Sequence, residues 1–276
     1  MVRVGVLGAA GRMGQAVCQA VTTDAGLELV AVVDPRLAPA APGQTAADPG
    51  AVLGIDVTGV RTGAGIDDLL EAGTEVAVDF TEATAATANM QWCAQHDVHA
   101  VVGTTGIGSG ELEDLRRAFE ASKANCVIAP NFAIGAVLMM RLSALAAPFM
   151  DSVEIIELHH DAKVDAPSGT ALRTAELIDD ARRSAAAEAW RPDPTTKTVL
   201  AGARGGTGPG GVHVHSVRLH GLVAHQEVVF GAAGQSLSVR HDAYDRTAFM
   251  PGVLLAVKEV ASRPGLTVGL EPLLGF

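Results

Sequence analysis

The sequence predicts an α/β fold: a doubly wound parallel sheet with a second, mixed α/β domain carrying an open sheet. Three observations predict it. Short apolar runs alternate with helix-length segments through the first 130 residues, as in successive strand–helix–strand crossovers. Small aliphatic residues dominate while aromatics make up only 4%, which suits parallel strands buried on both faces. Beyond residue 131 the rhythm changes to alternating strands separated by glycine turns, the mark of a differently built sheet.

The elements follow in order. Residues 2–7 form an apolar run ending at Gly8, residues 11–22 the helix after it, and residues 27–33 a second strand closed by Asp34-Pro35. That unit is about thirty residues long, one βαβ crossover. Residues 36–65, rich in Pro, Gly and Ala, read as a long connection with little regular structure. Strands at 75–80, 98–102 and 126–129 alternate with helices at 84–95 and 109–122. The stretch 131–150 is the most apolar in the chain, but Arg141 sits within it, so it reads as a buried core helix and not a membrane span. Residues 152–158 alternate as a strand, 170–189 form an Ala-rich helix, and 190–211 read as a mobile loop. Three strands at 212–219, 222–230 and 236–241 suggest an antiparallel sheet, and a last helix at 246–262 packs back on the first domain. The expected domains are 1–130, completed by 242–276, and 131–241.

Charge and cysteine content narrow the function classes. With 20 basic and 31 acidic residues the net charge is −11, which argues against nucleic acid as a partner. No signal-peptide pattern opens the sequence. Cys18, Cys93 and Cys126 fit neither a zinc pattern nor a disulfide framework. A cytoplasmic protein without membrane attachment is the expectation.

Gly8-Ala9-Ala10-Gly11-Arg12-Met13-Gly14 lies between the first strand and its helix, a G-x-x-G-x-x-G variant of the dinucleotide fingerprint. Without side chains the backbone can approach a pyrophosphate resting on the helix N-terminus. Asp34, twenty residues past Gly14, can accept hydrogen bonds from ribose hydroxyls. The context favours a Rossmann-type cofactor site over a turn that merely packs helix on strand. Asp34 favours NADH, whereas Arg36 and Arg12 can pair with a 2′-phosphate and admit NADPH, so both cofactors are expected. Two further turns, Gly103-Thr104-Thr105-Gly106 and Ala129-Pro130-Asn131-Phe132, fall at strand ends, where open α/β sheets bind ligands. Spacing alone leaves them evenly balanced between binding turns and ordinary ones.

The densest polar run spans residues 157–170, Glu-Leu-His-His-Asp-Ala-Lys-Val-Asp-Ala-Pro-Ser-Gly-Thr, and joins a strand end to a helix start. His159, His160 and Lys163 offer a proton donor and cations. Ser168, Gly169 and Thr170 open the helix, where hydroxyls and backbone amides gather anions. Acid catalysis on a small anion is the reading. No metal is expected, since no cysteine lies nearby and Ser-Gly-Thr suits an anion better. His213, His215, His220 and His225 form a second group to which no role is given.

The run from His159 to Ala171 closely resembles the signature of the dihydrodipicolinate reductase family, and the glycine loop and both later turns are similar to its cofactor motifs in the same order. The resemblance implies NADH- or NADPH-dependent reduction of a small cyclic dicarboxylate in lysine and diaminopimelate biosynthesis. It implies His159 as proton donor after hydride transfer, with Lys163 as second donor. His160, Gly169 and Thr170 would bind carboxylates, with Ser168 beside them. Gly8, Ala9, Ala10, Gly11, Arg12 and Met13 would cradle the pyrophosphate, and Asp34 the ribose. Gly103, Thr104 and Thr105, with Ala129, Pro130, Asn131 and Phe132, would line the nicotinamide side. A homotetramer assembled through the second domain, closing around both ligands, is also implied. Departures from the commoner pattern, such as Ala133 and Asp245, touch none of the proposed donors. Rival readings are a reductase of another imine or carbonyl acid, and a redox sensor that binds dinucleotide without turnover.

Overall fold

The computed structural model describes residues 1–37 and 48–276. They form two compact units, Met1–Phe132 with Phe249–Phe276, and Ala133–Ala248. Along the first stretch come β1 (Val2–Leu7), α1 (Arg12–Thr23), β2 (Leu27–Val33), α2 (Pro49–Leu53), β3 (Arg61–Gly63), α3 (Asp68–Glu71) and β4 (Val76–Asp79). They continue as α4 (Ala83–Gln95), β5 (His99–Val102), α5 (Ser109–Glu120) and β6 (Cys126–Ile128). The other unit holds α6 (Ile134–Ala146), β7 (Ser152–His159), α7 (Gly169–Ser184), β8 (Gly206–Thr207), β9 (His213–Arg218), β10 (Ala224–Ala232) and β11 (Gln235–Ala243). The chain then returns through α8 (Met250–Glu259) and β12 (Leu266–Val268).

The first unit is a seven-stranded sheet in the order β12-β6-β5-β4-β1-β2-β3, parallel throughout. Val4, Val6, Val32, Val78 and Val101 are wholly buried, as strands covered on both faces require. Strand order reverses between β1 and β4, the switch point where such sheets bind ligands. Register aligns the carboxyl ends: Leu7 lies opposite Val33 and Asp79, Asp79 opposite Val102, and Val102 opposite Ile128. Every turn following these residues therefore emerges along one edge. α8 packs against α1, with Lys258 Nζ 2.6 Å from Asp24 Oδ2.

The segment 36–65 differs from the expectation of an irregular connection, of which 38–47 lies outside the described residues. Asp48 caps α2 ahead of Pro49, Gly54 ends it in a left-handed turn, and β3 pairs with β2. A three-residue edge strand carries no periodic signal; its neighbour's main chain defines it. β12 escapes sequence reading for the same reason. The last helix is also shorter than its expected span, with 3₁₀ turns at Arg246–Phe249 and Val260–Ser262 flanking α8.

The second sheet runs β11-β10-β7-β9-β8. It bears out the antiparallel expectation for β10 and β11 but not for β9: β7 inserts between β10 and β9, and β7 and β9 are parallel. The long connection carrying α7 allows that parallel return, which a hairpin could not. Val153, Ile155, Val228 and Phe230 pack with Ala171, Ala175 and Ile178 of α7. The segment 190–211 is tied down at several points. Arg182 lies 3.5 Å over the Trp190 ring, Arg204 bonds Glu154 and Asp193, and β8 pairs with β9. α6 is not fully buried either, since Leu138, Leu142 and Leu145 are exposed. Among the described residues no helix is long and apolar enough to cross a membrane.

Candidate active site

In the first unit the loop after β1 is stitched to the end of β2. The N–H groups of Gly8 and Ala9 donate to Val33 O at 2.9 and 3.2 Å. The Ala10 N–H donates to Asp34 Oδ2 at 3.1 Å. Gly8 has φ +69°, and a Cβ at Gly14 would stand 2.2 Å from Gly8 O, so only glycine lets α1 start this close to the loop. No side chain caps α1, leaving its leading amides to a ligand or water. The residues thus fit a dinucleotide pyrophosphate, with Arg12 exposed at the helix start and Met13 half-buried beside it.

Asp34 is buried at the end of β2, and its carboxylate is held from several sides. Arg36 donates from Nε to Oδ1 at 3.0 Å, from Nη2 to Oδ2 at 2.9 Å and from its own N–H to Oδ1 at 2.9 Å. Burial works to raise the Asp34 pKa, but the Arg36 and Ala10 hydrogen bonds prevail and lower it. Along the same sheet edge, Gly103 N–H donates to Asp79 O at 2.9 Å, and Thr104 Oγ1 donates to Thr81 O at 2.7 Å. Thr105 is exposed beside them. Ala129 N–H donates to Val102 O at 3.0 Å. Pro130 is exposed and Asn131 half-buried, while Phe132 is buried with its ring 5.9 Å from that of Phe80. Phe80 and Thr81, which follow β4, are edge residues that sequence reading missed; the Asp79-Phe80-Thr81 break after an apolar run was the available signal.

The polar run folds, within the second unit, as strand end, loop and helix start. His159 is the last residue of β7, with 15% of its side chain exposed. Its Nδ1 lies 2.6 Å from Glu157 Oε2. Burial lowers the His159 pKa, Glu157 opposes that effect, and Lys163 and Arg218 add to it. His160 is exposed. Lys163 Nζ donates to Asp165 Oδ1 at 2.8 Å, and the Lys163 N–H donates to His160 O at 3.2 Å. Ser168 caps α7 by accepting the Ala171 N–H at 3.2 Å. Gly169 opens the helix with nothing within 4 Å of where a Cβ would sit, so there is room beside it. Gln226 Nε2 donates to Thr174 Oγ1, which donates to Thr170 O, both at 2.7 Å, and this chain fixes the first turn.

Glu157 and Arg218 are the residues that sequence reading passed over. Glu157 is fully buried on the core-facing side of β7. It accepts from His159, from Arg218 Nη1 and Nη2 at 2.8 and 2.9 Å, and from the Ser168 N–H at 3.1 Å. Burial alone would raise its pKa, but bonds from Arg218, Ser216 and His159 hold it at about 2. The four histidines of the second group do not converge: His213 pairs with Asp193, His215 with Glu154, His220 with Asp161 and His225 with Asp242.

A parallel sheet with a glycine loop at its switch point and an acid at the end of the neighbouring strand defines a Rossmann-type dinucleotide-binding protein. Family models narrow this. Residues 2–132 match the N-terminal model of dihydrodipicolinate reductase and residues 135–274 the C-terminal one. The chain is 50% identical over 274 residues to 4-hydroxy-tetrahydrodipicolinate reductase of Nocardia farcinica, covering 99% of this chain and 98% of that one. It is 48% identical over 276 residues to the enzyme of the same name from Corynebacterium aurimucosum, covering 100% and 99%. A dipicolinate-bound dihydrodipicolinate reductase from Paenisporosarcina sp. TG-14 superposes with TM-score 0.83 at 38% identity, covering 99% of both chains. An amine dehydrogenase from Mycobacterium smegmatis, at 16% identity and TM-score 0.64 over 98% of this chain and 95% of its own, shares the fold. The chain belongs to the dihydrodipicolinate reductase family.

Proposed function

We propose that this chain reduces 4-hydroxy-tetrahydrodipicolinate to tetrahydrodipicolinate in lysine and diaminopimelate biosynthesis, using NADH or NADPH. The carrying observation is the His159 imidazole, held through Nδ1 by a buried carboxylate at the strand end that leads into the capped start of α7. The unit Met1–Phe132 with Phe249–Phe276 is the dinucleotide-binding domain, and Ala133–Ala248 binds substrate.

A reduced nicotinamide, when bound, supplies the hydride. Gly8, Ala9, Ala10 and Gly11 shape the cradle with their own N–H groups bonded within the fold, and the leading amides of α1 at Arg12 and Met13, at its positive end, hold the pyrophosphate. Asp34 takes the ribose hydroxyls, and Arg36 tolerates a 2′-phosphate. Gly103, Thr104, Thr105 and the turn Ala129-Pro130-Asn131-Phe132 line the nicotinamide side. The substrate's two carboxylates call for cations and amides, which His160, Lys163, Gly169 and Thr170 provide beside Ser168. His159 delivers a proton to the ring, with Lys163 as second donor. Fixed donors aimed at developing charge supply most of the rate. Assembly as a homotetramer in the cytoplasm, through the open sheet of the second unit, belongs to the same reading.

The test couples purified protein to a dihydrodipicolinate synthase fed pyruvate and aspartate semialdehyde, following loss of reduced-nicotinamide absorbance. Synthase-dependent oxidation, lost in His159→Gln and Lys163→Ala while dinucleotide binding persists, supports the reading. Binding of both dinucleotides with no oxidation of either would overturn it.

A further inference from the structure

We infer that Glu157 and Arg218 act as positioning residues that fix the tautomer of His159, dedicate its Nε2 to proton transfer and tie the lysine loop and the α7 start to the same carboxylate. The inference rests on His159 being the proton donor and adds what holds it in a productive state.

The geometry carries the argument. Glu157 is fully buried, yet each carboxylate oxygen accepts at least two hydrogen bonds. Oε2 takes His159 Nδ1 and Arg218 Nη1; Oε1 takes Arg218 Nη2 and the Ser168 N–H. The bidentate guanidinium compensates a charge that would otherwise be costly to bury. An ionised carboxylate has no proton to give, so the proton in the 2.6 Å contact belongs to Nδ1. Nε2 is then the one ring nitrogen left to exchange a proton. In the donor state both nitrogens are protonated. The Nε2 proton passes to the substrate ring and leaves neutral imidazole with its Nδ1–H still on Glu157.

Arg218 extends the hold beyond the histidine. Its Nη2 also donates to Asp165 O at 2.6 Å and its Nη1 to Val217 O at 2.8 Å, so one side chain ties β9, β7 and the loop bearing Lys163. Through Ser168, the same Glu157 carboxylate sets where α7 begins. The charged groups acting on His159 are Glu157 on its own strand, Arg218 on β9 and Lys163 on the loop. Across on β10 its partner is Ala224, which carries no charge. Glu157 alone favours the imidazolium, and the two cations oppose it.

Nitrogen-15 spectra of histidine-labelled protein read the tautomer without any need for turnover. Neutral His159 is expected as the Nδ1–H form in the wild type, and a predominant Nε2–H form would overturn the inference. In Glu157→Gln the lost charge should move the His159 titration, and the alkaline limb of kcat, down by about one pH unit or more. KM should stay within about threefold while kcat above that limb falls at least about tenfold. Glu157→Asp restores charge but withdraws the carboxylate, so it should recover the titration only in part. The double variant Glu157→Gln/Arg218→Gln removes both charges together and guards against unfolding from an unpaired, half-buried Arg218. An unshifted pH profile and titration in folded Glu157→Gln would refute the positioning role; in the double variant, which loses opposing charges together, an unchanged kcat would refute it. If His159→Gln abolishes turnover all the same, the donor assignment survives that refutation; if the wild type turns nothing over, the donor assignment falls while the spectra still decide the tautomer.

Discussion

On the proposed use of both dinucleotides, replacing Arg36 with alanine is expected to shift the preference towards NADH. The Asp34 side chain is 4% exposed and the Arg36 guanidinium 62% exposed, so the pair presents its cationic member to solvent. With Arg36 present, a 2′-phosphate approaching the end of β2 meets a nearly neutral pair. Without it, a phosphate carrying about −1.5 to −2 charges faces a bare carboxylate. Unit charges at about 4 Å in water-like surroundings interact by about 1 kcal/mol, so the penalty is about 2 kcal/mol. That corresponds to about thirtyfold in the NADPH-to-NADH ratio of kcat/KM. NADH itself should change by less than about threefold, because Asp34 keeps the Ala10 and Arg36 main-chain N–H bonds. The assay is the synthase-coupled reaction run with each cofactor in turn, at low and high salt. Screening should shrink the effect as ionic strength rises. Equal losses with both cofactors, or an unchanged ratio, would refute the reasoning.

Other outcomes follow from single positions. Gly14→Ala places a Cβ 2.2 Å from Gly8 O and 2.7 Å from Ala9 Cα; calorimetry should show a loss of about 1–3 kcal/mol, with weaker dinucleotide binding by fluorescence titration. Asn125→Ala removes Nδ2 bonds to Val260 O and Ala261 O and the Oδ1 acceptor of the Gly265 N–H, which should cost about 2–3 kcal/mol in urea unfolding. Glu157 has its pKa depressed from 4.5 to about 2. Its contribution of about 3 kcal/mol is therefore fully present above pH 4.5 and lost as pH falls towards 2. Wild-type stability should drop across that window, and Glu157→Gln should flatten the drop.

How much could be read beforehand depended on how local each signal was. β1 and β2 were legible because strands buried on both faces read as unbroken apolar runs, each ending at a turn residue, Gly8 or Asp34. The chemistry of 159–170 was legible because donors, cation and helix cap are packed into one stretch of sequence. Glu157 and Arg218 were not, since 61 residues separate them and only the β7–β9 pairing joins them. One sign was present: Val153, Ile155 and Glu157 share the buried face of β7, and a charge at an apolar position of a period-two pattern demands a buried partner. The order of the second sheet was hidden for a related reason. Adjacent strands in sequence suggest a meander, whereas β7 takes the central place through pairings that no local pattern encodes.

The pairing of β12 with β6 has a consequence for biosynthesis. Leu266 lies opposite Cys126, so the first unit borrows its last strand from the far end of the chain, while the second unit is one continuous segment. During vectorial synthesis the second unit emerges whole before the first can be finished. At ribosomal speeds β6 waits on the order of ten seconds for its neighbour. Through that interval its edge is open to pairing with other nascent chains, and its length of only three residues keeps the exposed template small.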